Sequence, residues 1–314
     1  MICLGIDTSN YTTSAALYDT QTDEMISVRR LLTVKTGEVG LRQADAVFQH
    51  MLALPDILGE AFSQTEKRPD AIGVSVSPRD EAGSYMPCFL CGKGAAVSLG
   101  AALHIPVRYF SHQAGHIAAA VYSVNRTDLL RRELLAFHVS GGTTEALLVT
   151  QDREKIFTVR LLGGSMDLKA GQAIDRVGRM LGLPFPAGPA LDALSLQSEK
   201  RFTYRPYVKD GRCSLSGLEN QCRHMLDAGE APADIANYCV GFICAALEKI
   251  TDALIADYPG LPLVYSGGVT SNTLLRRRLT EKYGAVFAER GYASDNAAGI
   301  AVLCAAAQGE TSIC

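Results

Sequence analysis

No surplus of positive charge marks this chain. Its 30 lysines and arginines face 33 acidic residues, a formal net charge of −3. A surface that attracts nucleic acid all over is excluded, so RNA binding would need a local patch or a partner. The opening stretch, MICLGIDTSN, has no basic leader and no long apolar region, so no secretory signal is expected. The apolar run GAAVSLGAALHIPV is too short and too broken by glycine to span a bilayer. Nine cysteines without a secretory signal point to a reducing, cytoplasmic setting and free thiols. Cys88 and Cys91 form a C-x-x-C with no second pair at similar spacing, which leaves a zinc site short of ligands; small core or loop residues are the plainer reading. Histidines number six, and two of them, His112 and His116, stand four apart in FSHQAGHIAAAV.

What is present is an alternation of strand-like and helix-like segments, which predicts an α/β fold. MICLGID, a turn and SAALYD form a strand–turn–strand unit, and LLAFHVS, a turn and EALLVT repeat it at 134–150. The two turns, DTSNYTT and SGGTT, are rich in Gly, Ser and Thr, and the repetition reads as an internal duplication. Such turns can offer backbone N–H groups and hydroxyls to a phosphate, although similar clusters also serve simply as turns. Val47, Met51, Leu54, Leu58 and Phe62 recur at helical spacing, as do Ile235, Cys239, Ile243, Leu247, Ile250 and Leu254. SDNAAGIAVLCAAA predicts a helix capped by Ser294 or Asp295. No low-complexity linker divides the chain, so two lobes of this 314-residue protein should share a tight interface and a cleft.

On a helix, positions i and i+4 face the same way, so His112 and His116 can place two imidazoles on one metal. The alternative has one histidine at the strand–helix junction and the other packed. Residue 113 is Gln, so the H-E-x-x-H base of the metallopeptidases is absent. Asn272, after YSGGVTS, could read a base or ribose edge, or simply cap a helix. Asp175 and Asp192 flank a Pro/Gly break and could hold ribose hydroxyls or cap helices. Arg276 to Arg278 read as a solvated helix face.

Taken in order, these stretches resemble the TsaD family, the tRNA threonylcarbamoyladenosine synthases formerly called O-sialoglycoprotein endopeptidases. GIDTSNYTTSAALYD is similar to the family opening G-I-E-T-S-C-D-E-T, and SHQAGH to N-H-x-x-G-H. VSGGTT resembles V-S-G-G-H-T, and AGQAIDRVGRMLGLPFPAGPALD resembles A-G-E-A-F-D-K-x-A-x-x-L-G-L-x-Y-P-G-G-P-x-x-D. SLSGLEN, SGGVTSNTLLRRRL and SDNAAGIA are similar to F-S-F-S-G-L-K, A-G-G-V-x-A-N-x-x-L-R-x-x-L and T-D-N-A-A-M-I-A. The matches cover nearly the whole chain.

The resemblance implies a duplicated actin-like, sugar-kinase-like (ribonuclease H-like) α/β fold of two lobes, with a nucleotide in the cleft between them. The expected division is an N-terminal lobe over 1–115, joined by a helix over 295–314, and a C-terminal lobe over 116–294. Asp295 would join His112 and His116 on one divalent metal, iron or zinc. Val139, Ser140, Gly141, Gly142, Thr143, Asp175, Gly188, Asp192 and Asn272 fall on the family's adenylate-binding positions, and magnesium could accompany the nucleotide. Asp7, at the end of the first strand, is the residue expected to be catalytic. The implied reaction moves a threonylcarbamoyl group from its adenylate to N6 of adenosine in tRNA. tRNA would be engaged with partner subunits, in a homo- or heterodimer with a related fold, and no membrane is expected.

This sequence also departs from the family. Asn10, Tyr11 and Thr12 stand where C-D-E is usual, Asp7 replaces Glu, Thr143 replaces His, and Glu219 replaces Lys. The segment 77–92 is rewritten. The pattern fits a divergent paralogue. A small-molecule carbamoyl transferase, a nucleotide hydrolase or a non-catalytic nucleotide-binding subunit therefore stand as alternatives.

Overall fold

In the computed structural model, residues 1–9, 11–34, 41–289, 291–292 and 296–309 are described. The chain forms two compact units. One comprises Met1–Arg132, Val149–Arg160 and Gly291–Cys314, and the other Glu133–Leu148 and Leu161–Arg290.

The first unit is built on a five-stranded sheet. Strands β1 (Ile2–Ser9) and β2 (Thr12–Asp19) form the antiparallel hairpin expected from MICLGID and SAALYD, with Asp7 opposite Ser14. β3 (Glu24–Leu31) continues it, while β4 (Ala71–Ser77) and β5 (Val107–Ser111) add in parallel on the other side, giving the order β3-β2-β1-β4-β5. α1 (Gln43–Ser63), α2 (Phe89–Leu103) and α3 (His112–Ser123) connect and cover these strands.

The second sheet, most of which belongs to the other unit, repeats this plan. β6 (Leu134–Val139), β7 (Thr144–Asp152), β8 (Ile156–Ser165), β9 (Val208–Lys209), β10 (Arg212–Cys213), β11 (Leu263–Ser266) and β12 (Val286–Phe287) form one sheet, in the order β12-β11-β6-β7-β8-β10-β9. Within it, β8-β7-β6-β11-β12 has the connectivity of β3-β2-β1-β4-β5, and β11 pairs in parallel with both β6 and β12. α4 (Ala170–Met180), α5 (Gly188–Ser195), α6 (Ser216–Asp227), α7 (Pro232–Asp257) and α8 (Thr273–Tyr283) complete the unit.

Helix periodicity held for α7, where Ile235, Cys239, Ile243, Leu247, Ile250 and Leu254 are all buried. It was displaced for α1. There the buried face runs through Ala46, His50, Ala53, Leu54, Ile57 and Ala61, and Met51 is 59% exposed. Leu54 and Ile57 share that face with small residues and a histidine, and Leu58 and Phe62 of the expected stripe pack half-buried beside it. α9 (Asn296–Ala307) is buried on nearly every side, as expected of a helix apolar all round. Glycines admit it: a Cβ on Gly5 of β1 would lie 2.1 Å from the Ala297 carbonyl oxygen. The expected caps of this helix, Ser294 and Asp295, lie outside the described residues. The division expected at residue 115 falls inside α3, which lies wholly within the first unit. Among the described residues no helix is long and apolar enough to cross a membrane.

Candidate functional site

Two clusters of the expected residues form, one in each unit. In the first, β5 ends at Ser111, whose side chain accepts a hydrogen bond from Ala114 N and so starts α3. His112 and His116 then lie one turn apart, with ring centroids 4.8 Å apart. α3 crosses α9 at two glycines. A Cβ on Gly299 would stand 1.8 Å from the Gly115 carbonyl oxygen, so α9 admits no side chain there, and a Cβ on Gly115 would lie a tight 3.1 Å from the Asn296 carbonyl oxygen. That approach brings Asn296 to the histidines, with its Nδ2 3.3 Å from His112 Nε2.

On its other side the His112 ring meets Asp7, whose Oδ1 lies 2.9 Å from His112 Nδ1. Asp7 is fully buried and also accepts from the Ser75 hydroxyl. Burial opposes its ionisation, but the attraction and hydrogen bond of His112, with the Ser75 bond, outweigh burial and hold the carboxyl below its ordinary value. Asp7 therefore orients an imidazole. With Nδ1–H directed to the carboxylate, Nε2 accepts from the Asn296 amide, so a ligand at Nε2 would have to displace that contact. Two buried oxygens, Asp7 Oδ2 and Asn296 Oδ1, have no hydrogen-bond partner among the described residues. Imidazole nitrogens beside orphaned oxygens suit a divalent ion of the zinc or iron kind. The described residues alone include no group of three His, Cys, Asp or Glu able to hold a metal. Asp295, the expected third ligand, and Asn10 of the first loop lie outside them.

The rewritten segment 77–92 borders this cluster. Pro78 O accepts from Gln113 N at 3.1 Å, and the Phe89 ring packs edge-on to His112. Thr8 Oγ1 donates to Cys88 O and accepts from Gly92 N. Cys88 and Cys91 are buried; burial pushes the Cys88 thiol up to about 11 and raises that of Cys91, so neither is poised as a thiolate.

In the second unit, Gly141, Asp175, Gly188, Asp192 and Asn272 line one cavity of about 440 Å³ with Ile174 and Val269, a size suited to a small ligand. The turn after β6 is closed by Ser140 N to Thr143 O, 2.7 Å, and by Thr143 N to the Ser140 hydroxyl. α4 starts against it. Ala170 N donates to Thr144 Oγ1, and a Cβ on Gly171 would lie 2.7 Å from Gly141. Gly267, at φ 96°, makes a second turn close to Val139. Val139 itself is a core residue, fully buried at the end of β6.

The polar side chains here are already engaged. Asp175 Oδ1 accepts from Ala187 N at 2.8 Å. Asp192 accepts from Asn272 Nδ2, Thr273 N and Thr273 Oγ1. Asn272 Oδ1 caps α8 by accepting from Leu275 N. Of the two readings of Asn272, the helix cap is therefore present, and both ends of its amide are in use. Sequence reasoning missed Asp167, which accepts from Leu215 N, Ser216 N and the Ser214 hydroxyl at the start of α6. An Asp at that distance in sequence carries no local cap signal.

A family model described as tRNA N6-adenosine threonylcarbamoyltransferase, TsaD, matches residues 33–302. The chain belongs to the TsaD family. Its relatives include a tRNA N6-adenosine threonylcarbamoyltransferase of Thermus thermophilus, 30% identical over 96% of this chain and 91% of that protein. The enzyme of that name from Methanopyrus kandleri is 26% identical over 93% of this chain and 80% of its own length. Among solved structures, HypF of T. kodakarensis superposes with a TM-score of 0.60 at 13% identity, over 97% of this chain and 46% of HypF. The activator of 2-hydroxyisocaproyl-CoA dehydratase from Clostridium difficile, with bound ADPNP, has a TM-score of 0.54 at 11% identity, over 98% of this chain and 96% of the activator. A ROK family glucokinase from Streptomyces griseus gives 0.52 at 11%, over 98% and 100%. These likenesses establish the fold of this TsaD-family chain as the duplicated actin-like, sugar-kinase-like one.

Proposed function

We propose that this chain transfers a threonylcarbamoyl group from an adenylate donor to N6 of adenosine in tRNA, with the help of one divalent metal. The observation that carries the reading is the His112–Asp7 pair, which makes Nε2 the accepting nitrogen of a metal-motif histidine, in a chain of the TsaD family.

His112, His116 and Asp295 would hold the metal, iron or zinc, which would supply Lewis acidity to donor oxygens. Asp7 keeps His112 in the ligating tautomer and excludes water by its burial. Within the Ser140–Thr143 turn, Gly141 and Gly142 offer backbone N–H groups to the donor phosphate, with or without magnesium, and the apolar wall of Ile174 and Val269 suits an adenine face. Asp175, with one oxygen held by Ala187 N, keeps the other for a ribose hydroxyl. In the reaction the N6 amine forms a C–N bond to the carbamoyl carbon, the anhydride C–O bond breaks, AMP leaves, and the N6 proton passes to solvent. Positioning and charge stabilisation carry such a step.

Partner subunits fit this reading. Phe48, Met51 and Leu52 of α1 are exposed large apolar side chains on one helix, the kind of surface a second protein covers. Exposed Tyr11, where the family carries an acidic residue, favours a second reading, a paralogue with a small-molecule acceptor. Complementation of a strain depleted of its own TsaD, with mass spectrometry of tRNA nucleosides, separates the two. Reappearance of threonylcarbamoyladenosine supports the tRNA reading. Its absence, with stable expression and the partner subunits supplied, removes it.

A further inference from the structure

The charge run that stands out in the sequence, Arg276 to Arg278, is largely neutralised in the fold. Arg278 pairs with Glu248, and Arg276 lies against Glu289 and over the Phe287 ring. A different basic segment is left available. Between α5 and β10, residues 200–212 read KRFTYRPYVKDGR. Burial alternates along it. Phe202, Tyr204, Pro206 and Val208 are turned toward the protein, while Arg201, Thr203, Arg205, Tyr207 and Lys209 are exposed.

The inward row fixes the segment to α7. Phe202 packs edge-on against Tyr238, and Tyr204 packs beside both. Tyr204 lies so close to α7 that a Cβ on Gly241 would stand 2.0 Å from its hydroxyl. Lys249 Nζ donates to Pro206 O, and Asn237 Nδ2 to Lys200 O. The segment ends in the β9–β10 hairpin, at the edge of the sheet, where Asp210 and Gly211 both take positive φ. That turn presents Lys209 and Arg212 together.

The outward row is a cation, a hydroxyl, a cation, an aromatic ring and a cation, with Arg201, Arg205 and Lys209 at every fourth residue. An extended run of this length covers about 25 Å. Lys200 is spoken for by Glu230 and Asp234, but Arg201, Arg205, Lys209 and Arg212 form no ion pair with a described residue. Glu199 and Asp210 are the acidic residues within the segment and its flank. Tyr207 is 57% exposed. Water solvates such cations without help, so unpaired charge by itself is ordinary. Regular spacing, a rigid aromatic anchor and an exposed ring between two cations are not.

We infer that the outward row from Arg201 to Arg212 is a docking surface for RNA with unstacked bases. Arg201, Arg205, Lys209 and Arg212 grip phosphates, and Tyr207 stacks on a base. The choice of RNA over another polyanion rests on the tRNA reading proposed above. Contacts of this kind position a strand without reading its sequence, and four of them bind weakly and with strong salt dependence. A lone chain is therefore expected to hold tRNA only at non-specific strength.

The test is fluorescence-anisotropy titration of tRNA onto the full chain across a salt series starting at about 50 mM. Combined replacement by glutamine at Arg201, Arg205, Lys209 and Arg212 should make the slope of log K against log salt shallower by about 3. An equal replacement at exposed Arg68, Lys93, Arg108 and Arg153 should change it much less, and thermal melting should be unaltered in both. Tyr207→Ala should weaken single-stranded RNA at least about five-fold and leave duplex RNA unchanged. An unchanged slope in the first variant, an equal change in the control, or competition by polyglutamate as strong as that by RNA of equal charge would each overturn the inference. The complementation assay keeps the two ideas apart. A quadruple variant that binds tRNA and restores the modified nucleoside as the wild type does removes the surface and leaves the reaction. A flattened slope in a protein that never restores the nucleoside keeps the surface and removes the reaction.

Discussion

Asp7 and His112, 105 positions apart in the chain, meet at 2.9 Å between Oδ1 and Nδ1. The contact ties the end of β1 to the first turn of α3 and decides which imidazole nitrogen faces outward. Replacing Asp7 by Asn keeps the shape and removes the charge that favours Nδ1–H. Metal affinity is expected to fall about 10- to 100-fold, the usual effect of losing a group that orients a ligand. Competition with a chromogenic chelator measures it, alongside elemental analysis of His112→Ala, which should lose the metal and keep the fold. Equal affinity in wild type and the Asp7 variant would deny Asp7 this role.

The crossing of α3 and α9 leaves no room for a methyl group at Gly299, where an added Cβ falls 1.8 Å from a carbonyl oxygen. Alanine is the better helix former, so on an exposed helix Gly299→Ala would stabilise. Here it should destabilise by about 1–3 kcal/mol, as overpacking does. Chemical denaturation reads the effect, and a rise in the unfolding midpoint would contradict the crossing.

Nucleotide binding in the second unit is checked by thermal protection. An adenine nucleotide at about 100 times its dissociation constant should add roughly 2.7 kcal/mol. Asp175→Ala should reduce that protection with metal content unchanged. Asp192→Ala should behave differently, because Asp192 holds Asn272 and Thr273 at the start of α8. Loss of this carboxylate should cost about 1–2 kcal/mol without any ligand, the scale of a lost helix cap. Identical protection in wild type and Asp175→Ala would place the nucleotide elsewhere.

Asp167 supplies a pH-dependent prediction. Burial works against its ionisation, yet the Ser214 hydroxyl, the Leu215 and Ser216 N–H groups and the Ser216 hydroxyl together hold its pKa well below the ordinary carboxylate value. A folded pKa below the unfolded one means that stability is present above the unfolded value and is lost as pH falls toward the folded one. Asp167→Ala should cost about 0.5–2 kcal/mol at neutral pH. The gap between wild type and variant should hold down to roughly pH 5 and narrow below about pH 4. Urea titrations at several pH values measure it. A gap that widens in acid would reverse the sign and refute the assignment.

Much of the architecture was legible in the residues. The repeated strand–turn–strand units were readable because alternation and glycine turns are local, and the structure gives both halves the same strand order. α7 was readable for the same reason. α1 was readable in part: Leu54, Leu58 and Phe62 of its expected stripe pack on the core, whereas Met51 points outward and the small residues Ala46, Ala53 and Ala61, with His50, complete the buried face. Apolar periodicity registers bulky side chains and overlooks close approach by small ones.

The candidate site divides along a similar line. Residue types and motif order were enough to place the chain near its family and to select His112, His116, Asp175 and Asp192. Helix spacing alone put the two histidines on one face. Tertiary structure decided what each group does. Asp7 came to orient His112 through the parallel pairing of β1 with β4 and β4 with β5, and Asp192 came to hold Asn272 across 80 residues. Arg276 and Arg278 of the basic run prominent in the sequence were paired, and the segment from Arg201 to Arg212 was turned outward by the anchoring of Phe202 and Tyr204 on α7. A sequence specifies neighbours three or four residues away through backbone geometry, whereas partners 80 or 105 positions apart are set by strand register and helix crossing, which exist only once the chain has packed.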